Sequence, residues 1–98
     1  MRGAELAGAV LHSGHFVEAE MRGADLSGVR LVYSDLSDAN LSNANLSNAD
    51  LYGSELRNTD FAGAGLRGAL LYGVILQGAN VSGSDLTGSL HDDETWWH

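Results

Sequence analysis

Residues 39–51 read Ala-Asn-Leu-Ser-Asn-Ala-Asn-Leu-Ser-Asn-Ala-Asp-Leu, which is two complete copies of a five-residue unit and the start of a third. The large apolar residue of this unit recurs at every fifth position in both directions along the chain, for seventeen consecutive positions. A run of this length in strict register is not accidental. The positions are Leu6, Leu11, Phe16, Met21, Leu26, Leu31, Leu36, Leu41, Leu46, Leu51, Leu56, Phe61, Leu66, Leu71, Leu76, Val81 and Leu86.

A period of five excludes the two common regular structures. On an α-helix, five residues advance the side chain by about 140°, so the large residues would spiral around the rod without forming one buried stripe. In an extended strand, five is an odd step, so successive large residues would point to opposite faces. The spacing therefore predicts a chain that turns a corner once per repeat and directs one large side chain inward from each short side.

The residues around each large side chain support this interpretation. A small residue usually lies two positions before it, which predicts a narrow interior. Two positions after it, the chain usually has Gly, Asn or Asp, the types that tolerate the positive φ of a type II turn. These residues are Gly8, Gly23, Gly28, Asp38, Asn43, Asn48, Gly53, Asn58, Gly63, Gly68, Gly73, Gly78, Gly83 and Gly88.

Two longer repeats indicate how many sides make one coil. The segment Met1-Arg2-Gly3-Ala4 returns at residues 21–24, and Leu51-Tyr52-Gly53 returns at residues 71–73. Both repeats have the same 20-residue spacing, which corresponds to four five-residue sides. Four sides per coil would stack every fourth large residue in one internal ladder, such as Leu6, Leu26, Leu46, Leu66 and Leu86.

The unit, a small residue followed by Asp or Asn, Leu, any residue and Gly or Asn, resembles the pentapeptide repeat family. The resemblance covers residues 1–88 and implies an all-β fold, a right-handed four-sided parallel β-helix with four repeats per coil. Residues 1–88 then form a β-solenoid of about four and a half 20-residue coils. Residues 89–98 leave the repeat and are expected to form an acidic, Trp-containing tail or cap.

The ends of such a solenoid need caps, because each coil is stabilised by its neighbours. Met1 is already in register with Met21, so we expect a chain that starts inside its first coil or an excerpt of a longer protein. Exposed apolar residues at an uncapped N-terminal end predict pairing with a second copy in an end-to-end homodimer. The tail tryptophans are expected to cover the last coil or to bind a partner. The cap or self-association residues are Leu6, Leu11, Phe16, Met21, Trp96 and Trp97.

One face of the predicted coil is less polar than the others. It carries Val10, Arg30, Asp50 and Leu70 beside His12, Val32, Tyr52 and Tyr72, with Tyr33 at its corner. The alternative to binding is that Tyr52 and Tyr72, one coil apart, stack as a ladder that reinforces the coil. The protein-binding residues expected on this face are Val32, Tyr33, Tyr52, Leu70 and Tyr72.

The composition argues against catalysis and against cofactors. The chain has no Cys, which removes disulfides, thiolate metal sites and cysteine nucleophiles. A filled solenoid of this length presents nearly flat walls and lacks the concave pocket that a catalytic centre needs. His12 and His15 flank a corner near Glu18 and Glu20, but they lack an accompanying metal-binding motif, so neither a metal site nor an enzyme is expected.

The net charge separates the remaining function classes. With 13 acidic and 5 basic residues, the formal charge is -8, which argues against direct binding of nucleic acid. No segment approaches the roughly 18 consecutive apolar residues of a membrane span. We therefore expect a rigid, non-catalytic interaction or structural module of the bacterial cytoplasm, with an unknown protein partner.

The family resemblance implies an alternative function. Some members are acidic rods that mimic DNA and bind DNA gyrase, protecting it from quinolones or toxins, and the sign of the charge fits this class. The short coil and the spread of acids over all four faces weigh against it.

Overall fold

The computed structural model describes residues 6–11 and 13–91, which form a four-sided coil. On every side, parallel bridges join one residue of each coil to the residue 20 positions later, so one turn of the coil is four five-residue sides. At one place the pairing extends into two short strands, β1 (Leu70–Leu71) and β2 (Leu90–His91), which are parallel. The predicted all-β parallel helix with four repeats per coil is confirmed, and β2 carries the coil past the expected boundary at residue 88.

The four sides are named here by the residues that their bridges join. The first side carries Val10, Arg30, Asp50, Leu70 and Leu90. The second carries His15, Asp35, Glu55 and Ile75. The third carries Glu20, Asn40, Asp60 and Asn80, and the fourth carries Asp25, Asn45, Gly65 and Asp85.

The corners are the type II turns that the sequence predicts. The amide of Ala44, for example, donates to the carbonyl of Leu41 at 3.0 Å, and Asn43 between them has a φ of 59°. All seventeen turn positions have positive φ, including Ser13, Glu18 and Tyr33, which are neither Gly, Asn nor Asp. The regular stacking of coils therefore overrides the local preference of these three residues, each at a cost of about 1 kcal/mol.

The large residues fill the interior as predicted. Leu26, Leu41 and Leu46 have no exposed surface, and Phe61 is 1% exposed. The small residues two positions earlier are mostly buried too, but Val29 and Thr59 also occupy that position, without exposed surface. The interior is therefore narrow without being restricted to Ala, Ser and Gly.

The N-terminal end differs in part from expectation. Leu6, Leu11 and Phe16 are half-buried and pack against the core, so they form its partly open edge. The expectation that Met21 is exposed with them is wrong, because Met21 begins the next layer of the core and is only 2% exposed. Trp96 and Trp97 lie outside the described residues. End-to-end self-association stays a prediction.

The Asp or Asn before each large residue has a structural role that sequence reasoning missed. Its side-chain oxygen accepts a hydrogen bond from the backbone amide two residues later, at 3.0–3.1 Å, which closes a local turn. Much of the acidic charge therefore belongs to the repeat itself. The residues that do this are Asp25, Asp35, Asn40, Asn45, Asp50, Asp60, Asn80 and Asp85.

These turns predict a dependence of stability on pH. Hydrogen bonds from Ser27 and Ser37 hold the pKa values of Asp25 and Asp35 below the ordinary value of 3.8. A carboxyl whose pKa is lower in the folded state stabilises the fold above its unfolded pKa, and this contribution disappears as the pH falls through the folded pKa.

We expect the double variant Asp25→Asn/Asp35→Asn, which keeps the acceptors without titrating, to gain stability relative to the native chain below about pH 4. Urea denaturation from pH 6 to pH 2 measures the difference. A difference that does not change with pH would contradict this role of the carboxylates.

Within the part of the chain that the structure describes, there is no helix with the length and apolar character needed to cross a membrane.

Candidate functional site

The five residues expected to bind a partner lie on the first side of the coil and at its corner. Backbone amides of Ser13, Tyr33 and Gly53 donate to the carbonyls of Val32, Tyr52 and Tyr72, at 2.9 Å in each case, so these three carbonyl residues occupy successive coils. We call Val32, Tyr33, Tyr52, Leu70 and Tyr72 the tyrosine face. The three tyrosines are exposed, whereas Val32 and Leu70 are half-buried.

Exposed apolar surface is concentrated on this side. Six large hydrophobic side chains are exposed among the described residues, and five of them belong to the first side or its corner. The sequence places Val10 on this face but does not include it among the binding residues, and it gives no indication of Leu90, which extends the same side. The five, with their exposed fractions, are Val10 (61%), Tyr33 (63%), Tyr52 (46%), Tyr72 (37%) and Leu90 (48%).

The aromatic contact on this face is not the one that the sequence suggested. The rings of Tyr33 and Tyr52 meet edge to face, with centroids 5.6 Å apart and planes at 87°. Among the described residues no ring contact joins Tyr52 to Tyr72, so the expected ladder of these two residues is wrong. The corner residue Tyr33 folds over the next coil and contacts the ring beside it instead.

Tyr33 can take this position because residue 53 has no side chain. A Cβ atom added at Gly53 would lie 2.5 Å from Cε1 and 2.6 Å from Cδ1 of the Tyr33 ring. The φ of Gly53 is also positive, at 68°. Gly53 therefore serves both the turn and the aromatic pair.

Replacing Gly53 with Ala tests this packing, and Gly73→Ala is its matched control. Both positions have a positive φ, so each variant loses about 1 kcal/mol from the turn. At Gly73 the nearest atoms to an added Cβ lie 3.6 Å away. Gly53→Ala must also displace the Tyr33 ring, which should cost a further 0.5–1.5 kcal/mol or so. Denaturant unfolding measures both losses, and equal losses would contradict the packing of Tyr33 on Gly53.

A shallow hollow of about 370 Å³ opens beside the tyrosine face, at the corner with the second side. Tyr33 and Gly53 line it from the corner, and His15, Asp35 and Glu55 line it from the second side. Its floor is held by buried serine hydroxyls. The Ser34 hydroxyl donates to the Leu11 carbonyl at 3.0 Å, and the Ser34 amide donates to the Ser54 hydroxyl at 3.0 Å.

The histidine and glutamate residues near the first corner do not form a metal site in the described part of the chain. There, no three His, Asp or Glu side chains come together in an arrangement that would hold a metal ion. Glu18 and Glu20 are exposed. His12, the expected companion of His15, lies outside the described residues.

Comparisons with known proteins agree with this geometry. The family model of pentapeptide repeats matches in eight copies, over residues 1–28, 19–58, 34–71 and 49–88. A comparison with curated proteins finds no match.

Three solved structures are similar over nearly the whole chain. The pentapeptide repeat protein Rfr23 of the cyanobacterium Cyanothece 51142 is 34% identical with a TM-score of 0.92, over 96% of this chain and 64% of that protein. A pentapeptide repeat protein of Nostoc PCC 7120 is 35% identical with a TM-score of 0.55, over 96% and 75%. One from the thylakoid lumen of Arabidopsis thaliana is 27% identical with a TM-score of 0.63, over 97% and 70%.

The chain thus spans less than two thirds of the length of Rfr23. Because the repeats match from residue 1 to residue 88 and the bridges on every side follow the same 20-residue period, the chain belongs to the pentapeptide repeat family and forms its right-handed quadrilateral β-helix.

Proposed function

We propose that this β-helix is a rigid, non-catalytic protein-interaction module that binds a protein partner through the tyrosine face. The observation that carries the proposal is the concentration of exposed apolar side chains, five of six among the described residues, on one side and its corner. Clustered exposed apolar surface is characteristic of interaction sites, whereas isolated apolar residues are normal on any protein.

The rigidity of the coil supports this function. The backbone beneath the tyrosine face is tied to the coils on either side by hydrogen bonds of 2.8–2.9 Å, as between Leu31 and Asp50 and between Tyr33 and Tyr52. Tyrosine also offers a large contact area with few rotatable bonds. A surface that is already ordered loses little conformational entropy on binding, so a small patch contributes usefully to affinity.

The way in which the interior is filled supports a non-catalytic role. The coil is filled by its ladders of Leu, Met and Phe side chains, and among the described residues every buried side-chain nitrogen and oxygen has a partner. The buried polar groups therefore serve the fold, and a binding partner would contact the outer faces of the coil.

Affinity capture from bacterial lysate tests the proposal. The native chain is compared with Tyr33→Ser/Tyr52→Ser and with a control, Arg57→Ser/Gln77→Ser, which removes two exposed side chains that contact each other at 2.9 Å. We expect a partner that is held at low and high salt, lost with the tyrosine variant and kept by the control. A partner kept equally by both variants would contradict the tyrosine face.

The same experiment distinguishes the acidic DNA-mimic alternative, which the net charge of -8 favours. A charge-driven complex with gyrase would survive both substitutions at low salt and dissociate at high salt. Against this alternative, Asp25, Asp35, Asp50 and Asp60 lie on four different sides, and each carboxylate accepts the local turn hydrogen bond. These acids therefore do not form one continuous charged strip.

A further inference from the structure

The hollow beside the tyrosine face is lined by an aromatic ring, Tyr33, and by two carboxylates, Asp35 and Glu55. It exists because small residues surround Tyr33 at this corner, with Ser13 and Gly14 one coil before it and Gly53 one coil after it. The Tyr33 ring contacts the Tyr52 ring at its edge, but only small residues precede and follow it at the corner, so it is 63% exposed and forms one wall of the hollow. The result is a notch of about 370 Å³ with an aromatic wall.

The second side supplies the charge of the hollow. Parallel bridges join His15 to Asp35 and Asp35 to Glu55, so the two carboxylates lie on successive coils, about 4.8 Å apart along the axis. One oxygen of Asp35 accepts a hydrogen bond from the Ser37 amide at 3.0 Å. The carboxylate still has lone pairs that can accept further hydrogen bonds. Both acids are half-buried, so neither is fully surrounded by water.

Glu55 departs from the pattern of the repeat. The Asp and Asn residues at this repeat position use their side chains to close the local turn, as Asp60 does with Ala62 at 3.0 Å. The Glu55 side chain is one methylene longer and makes no hydrogen bond or ion pair with the residues that the structure describes. The nearest Arg along the chain, Arg57, is directed to Gln77 on the next coil. The Glu55 carboxylate is therefore available to a ligand.

We infer that this hollow receives the guanidinium group of an arginine side chain from a protein partner. A guanidinium is planar and carries several donors, so it can lie against the Tyr33 ring while donating to the carboxylates of Asp35 and Glu55. The inference names the partner chemistry of the tyrosine face and rests on the proposed function. Charge complementarity and the adjoining aromatic wall favour this occupant, and the described residues offer no three-ligand metal site here.

The test uses the whole chain and a small probe, N-acetyl-arginine-methylamide, with N-acetyl-citrulline-methylamide as a neutral probe of the same shape. Backbone NMR signals report where each probe binds. We expect saturable changes in chemical shift that are confined to residues around Tyr33, Asp35 and Glu55. The arginine probe should bind about tenfold or more tightly than the citrulline probe, because the latter lacks the charge.

Two variants separate local recognition from the general attraction of an acidic protein. Glu55→Gln should weaken binding of the arginine probe by roughly two- to fivefold, because it removes one carboxylate from the hollow. The control Asp25→Asn removes the same charge from the opposite, fourth side and keeps the acceptor for Ser27, so it should leave binding unchanged.

Three results would overturn the inference. They are equal binding of the two probes, equal weakening by the two variants, and shifts spread over all four sides. Because the titration uses no partner, its failure leaves the capture experiment on the tyrosine face unaffected. A partner lost with Tyr33→Ser/Tyr52→Ser but kept by Glu55→Gln would likewise overturn the arginine site and retain the proposed function.

Discussion

Replacing Leu46 with Asp will unfold the protein. Leu46 has no exposed surface, and its 20-residue neighbours along the ladder, Leu26 and Leu66, are 0% and 2% exposed. A carboxylate at this position would be surrounded by apolar side chains with no partner, in a core that is one residue wide on each side. The expected cost exceeds about 4 kcal/mol, a large fraction of the stability of a domain of this size.

Circular dichroism and urea denaturation measure the effect, and Asn45→Asp is the matched control. Asn45 is the adjacent residue, it is exposed, and its side-chain oxygen accepts the Ser47 amide at 3.0 Å. Asp in its place adds the same charge and keeps the acceptor, so the control should change stability by about 0.5 kcal/mol or less. A folded Leu46→Asp variant with a cooperative transition would contradict the inward position of the ladder.

Replacing Phe61 with Ala should cost about 3–5 kcal/mol. Phe61 is 1% exposed and is the largest fully buried side chain among the described residues. In its ladder Leu41 lies one coil before it and Val81 one coil after it, and coil stacking fixes the distance between them. The surrounding residues therefore have little freedom to collapse into the cavity that Ala leaves.

The control for this prediction is Phe61→Leu. Leu is the residue that most ladder positions contain, and Leu36, Leu56 and Leu66 occupy equivalent positions with at most 2% exposure. We expect this variant to lose less than about 1.5 kcal/mol. Unfolding in urea measures the loss of stability of both variants. Similar losses for Phe61→Ala and Phe61→Leu would contradict the idea that stability depends on how completely each layer of the core is filled.

The sequence predicts the fold well because the coil imposes its period on every residue. The spacing of the large residues identifies the positions that face the interior, and the Gly, Asn and Asp residues identify the corners. The turn-closing role of residues such as Asp25 and Asn40 was not predicted, because their regular spacing is equally consistent with a solvated charged face. The hydrogen bonds to Ser27 and Ser42 become evident only with the backbone geometry.

The sequence predicts that the residues of the tyrosine face share one side of the coil, but it does not predict how their side chains are arranged. The 20-residue period places Tyr52 and Tyr72 on one side, yet it gives no information on where a corner side chain points. Tyr33 turns toward Tyr52 because Gly53 leaves room for its ring. Leu90 escaped notice because residues beyond 88 no longer match the repeat, although β2 continues the coil there.

Site-specific photo-crosslinking tests whether this chain binds a protein partner through the tyrosine face. A benzoylphenylalanine is placed at Tyr52 in one variant and, as the control, at the exposed residue Arg57 on the second side in another. Both are irradiated in bacterial lysate. We expect a discrete crosslinked protein from position 52 that is absent from position 57. The same crosslinked protein in equal yield from both positions, or from position 57 alone, would contradict this expectation.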